Sequence, residues 1–281
     1  MTMVRFGPAG YPEESRGKPE RVFEILREAG LNALEFAAVY GLRSTEERAR
    51  LVGKLANESD VSMSLHAAYY INLASKSAEI RERSKARLTK ALRFAPLMAA
   101  KRVVFHPGTM GGLDRDEAYR VIKDALREVR ETADRSGNDI LLAPEIAGKV
   151  RAFGSVEEIT RLCNEVEGTI PTIDWAHLHA RSNGGLKDRN NYLSVLTGFE
   201  NDLGARFVDN MHFHVSGVTF TESGESSHKP LGGKWGPDIL PLIEIVSEAG
   251  YGPTVISETP NPIRGALYSK FLLEELEASN K

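Results

Sequence analysis

One cysteine in 281 residues cannot form an internal disulfide, which excludes a secreted scaffold stapled by bridges and leads us to expect a reducing, cytoplasmic setting. No run approaches the ~20 consecutive apolar residues that cross a bilayer. The first ten residues carry a proline and lack the apolar stretch of a signal peptide, so no membrane partner is expected. Net charge is scarce too: 36 Lys and Arg against 39 Asp and Glu leave a formal −3, which argues against binding that rests mainly on a basic surface. Missing as well are a dinucleotide-binding turn and a Walker A sequence, because Gly7-Pro8-Ala9-Gly10 is neither. No Pro/Gly/Ser linker or charge block marks a boundary, so one domain over residues 1–281 is expected. With 41% apolar residues and 27% charged, the chain has the makings of a core and no signature of disorder.

What the chain does contain is an alternation of short β-branched runs with segments of helical periodicity. The runs are Met3–Phe6, Ala33–Phe36, Val61–Leu65, Val103–Phe105, Ile140–Ala143, Thr169–Ile173, Val208–Phe213 and Thr254–Ile256. Between Asp116 and Asp134, apolar residues at Ala118, Val121, Ile122, Ala125, Leu126, Val129 and Ala133 follow the one-sided helix rule. Val156, Ile159, Leu162, Cys163 and Val166 form a second stripe, which assigns the lone thiol to the core. A third, Leu240 to Ala249, stops at Gly250 as a C-cap. Eight strand-then-helix units at this length predict a closed α/β (β/α)8 TIM barrel, for which ~250 residues is typical. The rival, an open doubly wound sheet, lacks its Gly-rich turn.

In such a barrel the chemistry sits where the strands end. The predicted third strand ends at His66, the fourth at His106, the fifth at Glu145 and the sixth at Asp174; the seventh carries His212 and His214, and the eighth runs into Glu258. Glu35 lies near the end of the second. His177, His179 and His228 follow strands six and seven, and the predicted helices hold no histidine. A lone His beside a strand is ordinarily structural, but so many imidazoles and carboxylates at one rim would cost several kcal/mol each to desolvate unless cations balance them. Imidazole and carboxylate ligands together suit Zn2+, with Mn2+ or Fe2+ as alternatives, and there are too many for one four-coordinate ion.

The ordered set Ser64-Leu65-His66-Ala67-Ala68-Tyr69, Val104-Phe105-His106-Pro107-Gly108, Pro144-Glu145-Ile146-Ala147-Gly148, Ile173-Asp174-Trp175-Ala176-His177, Met211-His212, His228-Lys229-Pro230-Leu231-Gly232 and Ser257-Glu258-Thr259-Pro260 resembles the metal-site motifs of endonuclease IV. That is the zinc-dependent apurinic/apyrimidinic (AP) endonuclease family, built on a TIM barrel, which cuts DNA 5′ of abasic sites in base excision repair using three zinc ions. The resemblance runs from strand three to strand eight. It implies that His66, His106 and Glu145 hold one zinc, that Glu145 bridges to a second held by Asp174, His212 and Glu258, and that His177 and His228 belong to a third. Glu145 and Glu258 would be the catalytic carboxylates. The family's aspartate two residues before the last histidine is Ser226 here, which leaves the third ion a ligand short. Glu225 or His214 are the leading substitutes, with Glu222 and His179 as further ones.

Two or three zinc ions, a double-stranded DNA partner with an abasic site and a monomeric chain are therefore expected. Tyr69 either meets the phosphate or deoxyribose or simply walls the pocket. Lys149, Arg151, Arg181, Lys187, Lys229 and Lys234 are phosphate contacts or solvated surface charges. The rival function is a sugar isomerase or epimerase of the xylose-isomerase-like barrels. It would use a single metal held by Glu145, Asp174, His212 and Glu258, and Glu35 together with the missing aspartate favours it, whereas His66, His106, His177 and His228 speak for the nuclease.

Overall fold

The computed structural model describes residues 3–279; residues 1, 2, 280 and 281 of the expected domain span lie outside them. Ten strands are present among the described residues: β1 (Arg5–Pro8), β2 (Ala33–Ala37), β3 (Ser62–His66), β4 (Ala100–Phe105), β5 (Leu141–Pro144), β6 (Ile173–Asp174), β7 (His212–Val215), β8 (Gly217–Thr221), β9 (Gly224–Lys229) and β10 (Thr254–Ser257). The helices are α1 (Pro19–Glu28), α2 (Glu46–Glu58), α3 (Ala78–Phe94), α4 (Arg115–Asp134), α5 (Val156–Glu165), α6 (Trp175–Arg181), α7 (Arg189–Leu203), α8 (Ala205–Val208), α9 (Leu240–Ala249) and α10 (Pro262–Ser279).

Two parallel four-stranded sheets run β1-β10-β7-β6 and β2-β3-β4-β5. Single parallel bridges join them, Ala9 to Glu35 at one seam and Leu142 to Thr169 and Glu145 to Thr172 at the other. The ring closes as the predicted (β/α)8 barrel, with β8 and β9 set outside it as an antiparallel hairpin. At the β1–β2 seam the backbones approach so closely that a side chain at Gly7 would place its Cβ 1.8 Å from the Ala33 carbonyl oxygen. Thr45, Ser77, Asp114 and Ser155 start α2 to α5 by accepting a backbone N–H with their side chains. The predicted stripes face inward: Ile122, Leu126 and Val129 on α4, Ile159, Leu162 and Cys163 on α5, and Leu242, Ile243 and Val246 on α9 are all buried.

Three local expectations are corrected. The seventh strand begins at His212, not Val208, because residues 205–208 wind into α8 and bury Phe207 in the core. The sixth is only two residues long, since Pro171 has no N–H to give the ladder and Thr169 and Thr172 make isolated bridges instead. Finally, the helices are not free of histidine: α6 starts directly after β6, with Asp174 as its N-cap, and carries His177 and His179.

Candidate metal centre

Register decides which side chains meet at the barrel mouth. Asp174 on β6 pairs with His214 on β7, and Ile256 on β10 pairs with the same His214. His214 is thus level with Asp174 and close below Glu258, whereas His212 points into the barrel two residues deeper. The set brought together is Glu145, Asp174, His214 and Glu258, with one ligand atom of each within 4.8 Å of the others. His212 leaves the position that the resemblance assigned to it. Its Nε2 lies 3.0 Å from Glu35 Oε2, and Glu35 Oε1 lies 3.0 Å from His214 Nε2. Alternation along β7 made both histidines inward-facing; only the pairing with β6 shows which reaches the rim.

Glu145 is the hub and is fully buried. One of its oxygens faces His66 Nε2 at 3.1 Å and His106 Nε2 at 3.5 Å; the other faces His177 Nδ1 at 3.1 Å and His214 Nδ1 at 3.4 Å. His66 Nδ1 lies 2.9 Å from the Ala67 carbonyl, so the ring can donate there and leave Nε2 facing Glu145. His66, His106 and Glu145 therefore come together as predicted.

The hairpin supplies the remaining group. Thr219 pairs with Ser227 but Phe220 pairs with Glu225, so Ser226 is the extra residue of a β-bulge and turns outward, exposed. The bulge moves Glu225 to the side of His228: its oxygens lie 3.3 Å from His177 Nε2 and 3.4 Å from His228 Nε2. His177 Nδ1 is 3.0 Å from the Ile146 carbonyl and His228 Nδ1 2.9 Å from that of Glu258, so both rings can donate from Nδ1 and turn Nε2 inward, 3.4 Å apart. Asp174 and Glu258 border the same two histidines. Of the substitutes considered, Glu225 and His214 lie within the cluster. Glu222 is exposed at the hairpin turn, and His179 sits edge-on to Phe220, 5.3 Å between ring centres.

Buried this close together, the groups perturb one another strongly. Burial alone would raise the Glu145 carboxyl, but His106, His214 and His177 hold it well below the usual range. Burial pushes Asp174 up to about 6. Desolvation opposes charge on His66 and His228, yet Glu145 and Glu225 respectively raise each to about 9. Burial lowers His106 to about 4. Even so, Glu145 Oε1, Asp174 Oδ2 and His214 Nδ1 are buried without a hydrogen-bond partner. Unpaired acceptors converging in one chamber carry an energetic penalty that a divalent cation removes, and imidazole nitrogen with carboxylate oxygen is a donor set that zinc, manganese and iron accept. The residues fit such an ion.

Above the centre, a chamber of about 200 Å³ lined by His66, His106, His177, Glu225, His228 and Glu258 adjoins a cavity of about 620 Å³. Tyr69, 70% exposed, stands at their junction with its ring edge toward His106, 6.4 Å between centres. Arg151 lines the larger cavity and is exposed. Two of the expected contact residues are engaged within the chain. Arg181 spends one guanidinium nitrogen on the carbonyls of Ala147, Lys149 and Ala152, at 3.3, 2.6 and 3.2 Å, and so clamps the loop after β5. Lys149 donates to the Glu225 carbonyl, tying that loop to the hairpin. Lys229 and Lys234 lie over the Trp235 ring at 5.5 and 4.6 Å, and Lys187 is exposed.

Comparison with known proteins agrees with this architecture. An uncharacterized protein of Methanocaldococcus jannaschii is 32% identical over 258 residues, 92% of either chain. A probable endonuclease 4 of Thermoplasma volcanium is 28% identical over 220 residues, 77% of this chain and 74% of the relative. The crystal structure of endonuclease IV from Thermus thermophilus superposes with a TM-score of 0.75 at 21% identity, covering 96% of this chain and 99% of that one, a likeness of fold. The family profile described as xylose isomerase-like TIM barrel matches residues 23–276, and the chain belongs to that family.

Proposed function

We propose that this chain is a zinc-dependent phosphodiester hydrolase that incises double-stranded DNA 5′ of abasic sites, acting as a one-domain monomer in the cytoplasm. The observation that carries the reading is the excess of ligands. A one-metal reaction is served by Glu145, Asp174, His214 and Glu258, yet His66 with His106 and His177 with His228 and Glu225 extend that set on two sides. Similarity to a probable endonuclease 4 supports it.

His66, His106 and Glu145 would hold one ion, Asp174, His214 and Glu258 with bridging Glu145 a second, and His177, His228 and Glu225 a third. Bound divalent ions supply Lewis-acid neutralisation of the phosphate and a water acidic enough to react near neutral pH. The chain's own part is positional. Glu145 ties the two inner sets together, and the Glu258 carboxylate at the chamber wall orients the attacking water. Tyr69 offers a face at the mouth for the extruded sugar, which an abasic nucleotide surrenders more readily than a paired base.

A second reading, single-metal sugar isomerisation or epimerisation, is favoured by the completeness of the Glu145, Asp174, His214 and Glu258 set on its own. Zinc-loaded protein, offered a duplex with one tetrahydrofuran abasic analogue and, separately, ketose sugars, separates the two. Incision that disappears with chelator and in Glu258→Gln is expected; sugar interconversion without incision would reverse the assignment.

A further inference from the structure

The geometry points to Glu35 as a positioning residue that holds His214 in the tautomer and ring orientation needed to bind metal through Nδ1, a role that rests on the metal reading above. Glu35 lies outside the ligand groups assigned to the three ions and is fully buried. Its Oε2 accepts from the Ser64 hydroxyl at 2.7 Å and meets His212 Nε2 at 3.0 Å, so the carboxylate is fixed from β3 and from β7. The other oxygen lies 3.0 Å from His214 Nε2, although neither atom has an aligned hydrogen bond.

Across the same ring, His214 Nδ1 lies 3.4 Å from Glu145 Oε1 and 3.4 Å from Glu258 Oε1, again without a hydrogen-bond partner. The imidazolium can face carboxylates on both edges, but it has no lone pair for a metal; the neutral ring has two tautomers. If Nδ1 carries the proton it points at Glu145 and Glu258, and no lone pair is available to a cation there. If Nε2 carries it, the N–H points at Glu35 and the Nδ1 lone pair joins two carboxylates around a common point. The fixed Glu35 oxygen selects the second tautomer, in which His214 Nδ1, Glu145 and Glu258 would hold a cation. Carboxylate acceptors behind metal-bound imidazoles act in this way, and their loss costs about 10–100-fold in metal affinity.

Arg102 suggests a purely structural alternative, since its buried charge interacts with Glu35 while its guanidinium donates to the Asn210 carbonyl at 2.6 Å. A double-mutant cycle on the full chain distinguishes the two, with Zn2+ affinity measured by chelator competition and metal-free thermal melting recorded beside it. Glu35→Gln is expected to weaken one zinc equivalent by about 10–100-fold, and to have no further effect in a His214→Ala background. Unchanged affinity in Glu35→Gln, or losses that multiply in the double variant, would overturn the positioning role. If His214→Ala itself binds zinc as the parent does, the ligand assignment of His214 fails, and the positioning role with it. Should Glu35→Gln not fold, nitrogen-15 imidazole correlations of the zinc-loaded parent report the same point: protonated Nε2 and metal-bound Nδ1 at His214 support it, and the opposite tautomer refutes it.

Discussion

At the scale of single residues, charge balance sets the behaviour of the metal-free centre. His66 and His228 titrate at about 9 in the fold, against ~6.5 for a free imidazole, because Glu145 and Glu225 face them. A histidine whose pKa is raised by folding contributes stability that is fully present below ~6.5 and is lost as pH climbs to about 9. Thermal melting of chelated protein should therefore decline across pH 6.5–9; if zinc binds as proposed it would replace those protons, and zinc-loaded protein should not follow the decline. Calorimetry of zinc binding in buffers of different ionisation enthalpy should show net proton release at pH 8; no release would count against protonated His66 and His228 in the metal-free centre. Cys163 behaves in the opposite sense. Burial on α5 pushes its thiol up to about 12, so it should resist an aromatic disulfide reagent until the chain unfolds.

At the scale of elements, the β8–β9 hairpin and the loop after β5 together make the outer half of the centre. Ser226 is bulged outward and Glu225 stands in its place, so Glu225→Ala should remove one metal equivalent, while Ser226→Asp should neither add a ligand nor rescue Glu225→Ala. Elemental analysis after gel filtration decides this; rescue by the aspartate would mean that the bulge is misplaced. Gly148 lies at the same junction, where a Cβ would come 2.7 Å from Glu225 Cβ and 2.9 Å from His177 Cδ2. At the opposite seam, Gly7→Ala would drive a methyl into the Ala33 carbonyl. We expect a loss of about 3 kcal/mol, at the top of the range for overpacking, measured by urea unfolding; a change below about 1 kcal/mol would show that the β1–β2 closure is looser than described.

For the molecule as a whole, the formal charge of −3 understates how the mouth meets an anion. Several acids in that sum surround the proposed ions, and a cavity of about 350 Å³ beside Tyr70 gathers Arg43, Arg87 and Lys90, none of which has an ion-pair partner among the described residues. Arg87 lies over the Tyr70 ring at 4.3 Å. If duplex DNA is the partner, the logarithm of affinity should fall linearly with that of salt, by ~0.9 per phosphate neutralised, and Arg43→Ala with Lys90→Ala should flatten the slope. Fluorescence anisotropy of a labelled abasic-analogue duplex measures it, and a flat salt response in the parent would exclude DNA. No helix among the described residues is long and apolar enough to cross a membrane.

The sequence by itself determined the barrel, because eight β-branched runs separated by one-sided helices leave few other ways to bury their faces. It also determined that imidazoles and acids gather at the strand ends, which have one rim to share. Tertiary structure decided the pairings that a period of two leaves open. The alignment of β6 with β7 put His214 rather than His212 beside Glu145, and joined His212 to Glu35 from the far side of the barrel. A bulge, invisible to residue type, exchanged Ser226 for Glu225. Arg181, by its sequence either a phosphate contact or a surface charge, bonds three backbone carbonyls of the loop after β5. Composition and periodicity report which groups face inward; which of them touch depends on register between strands far apart in the chain, and register is a property of the closed sheet.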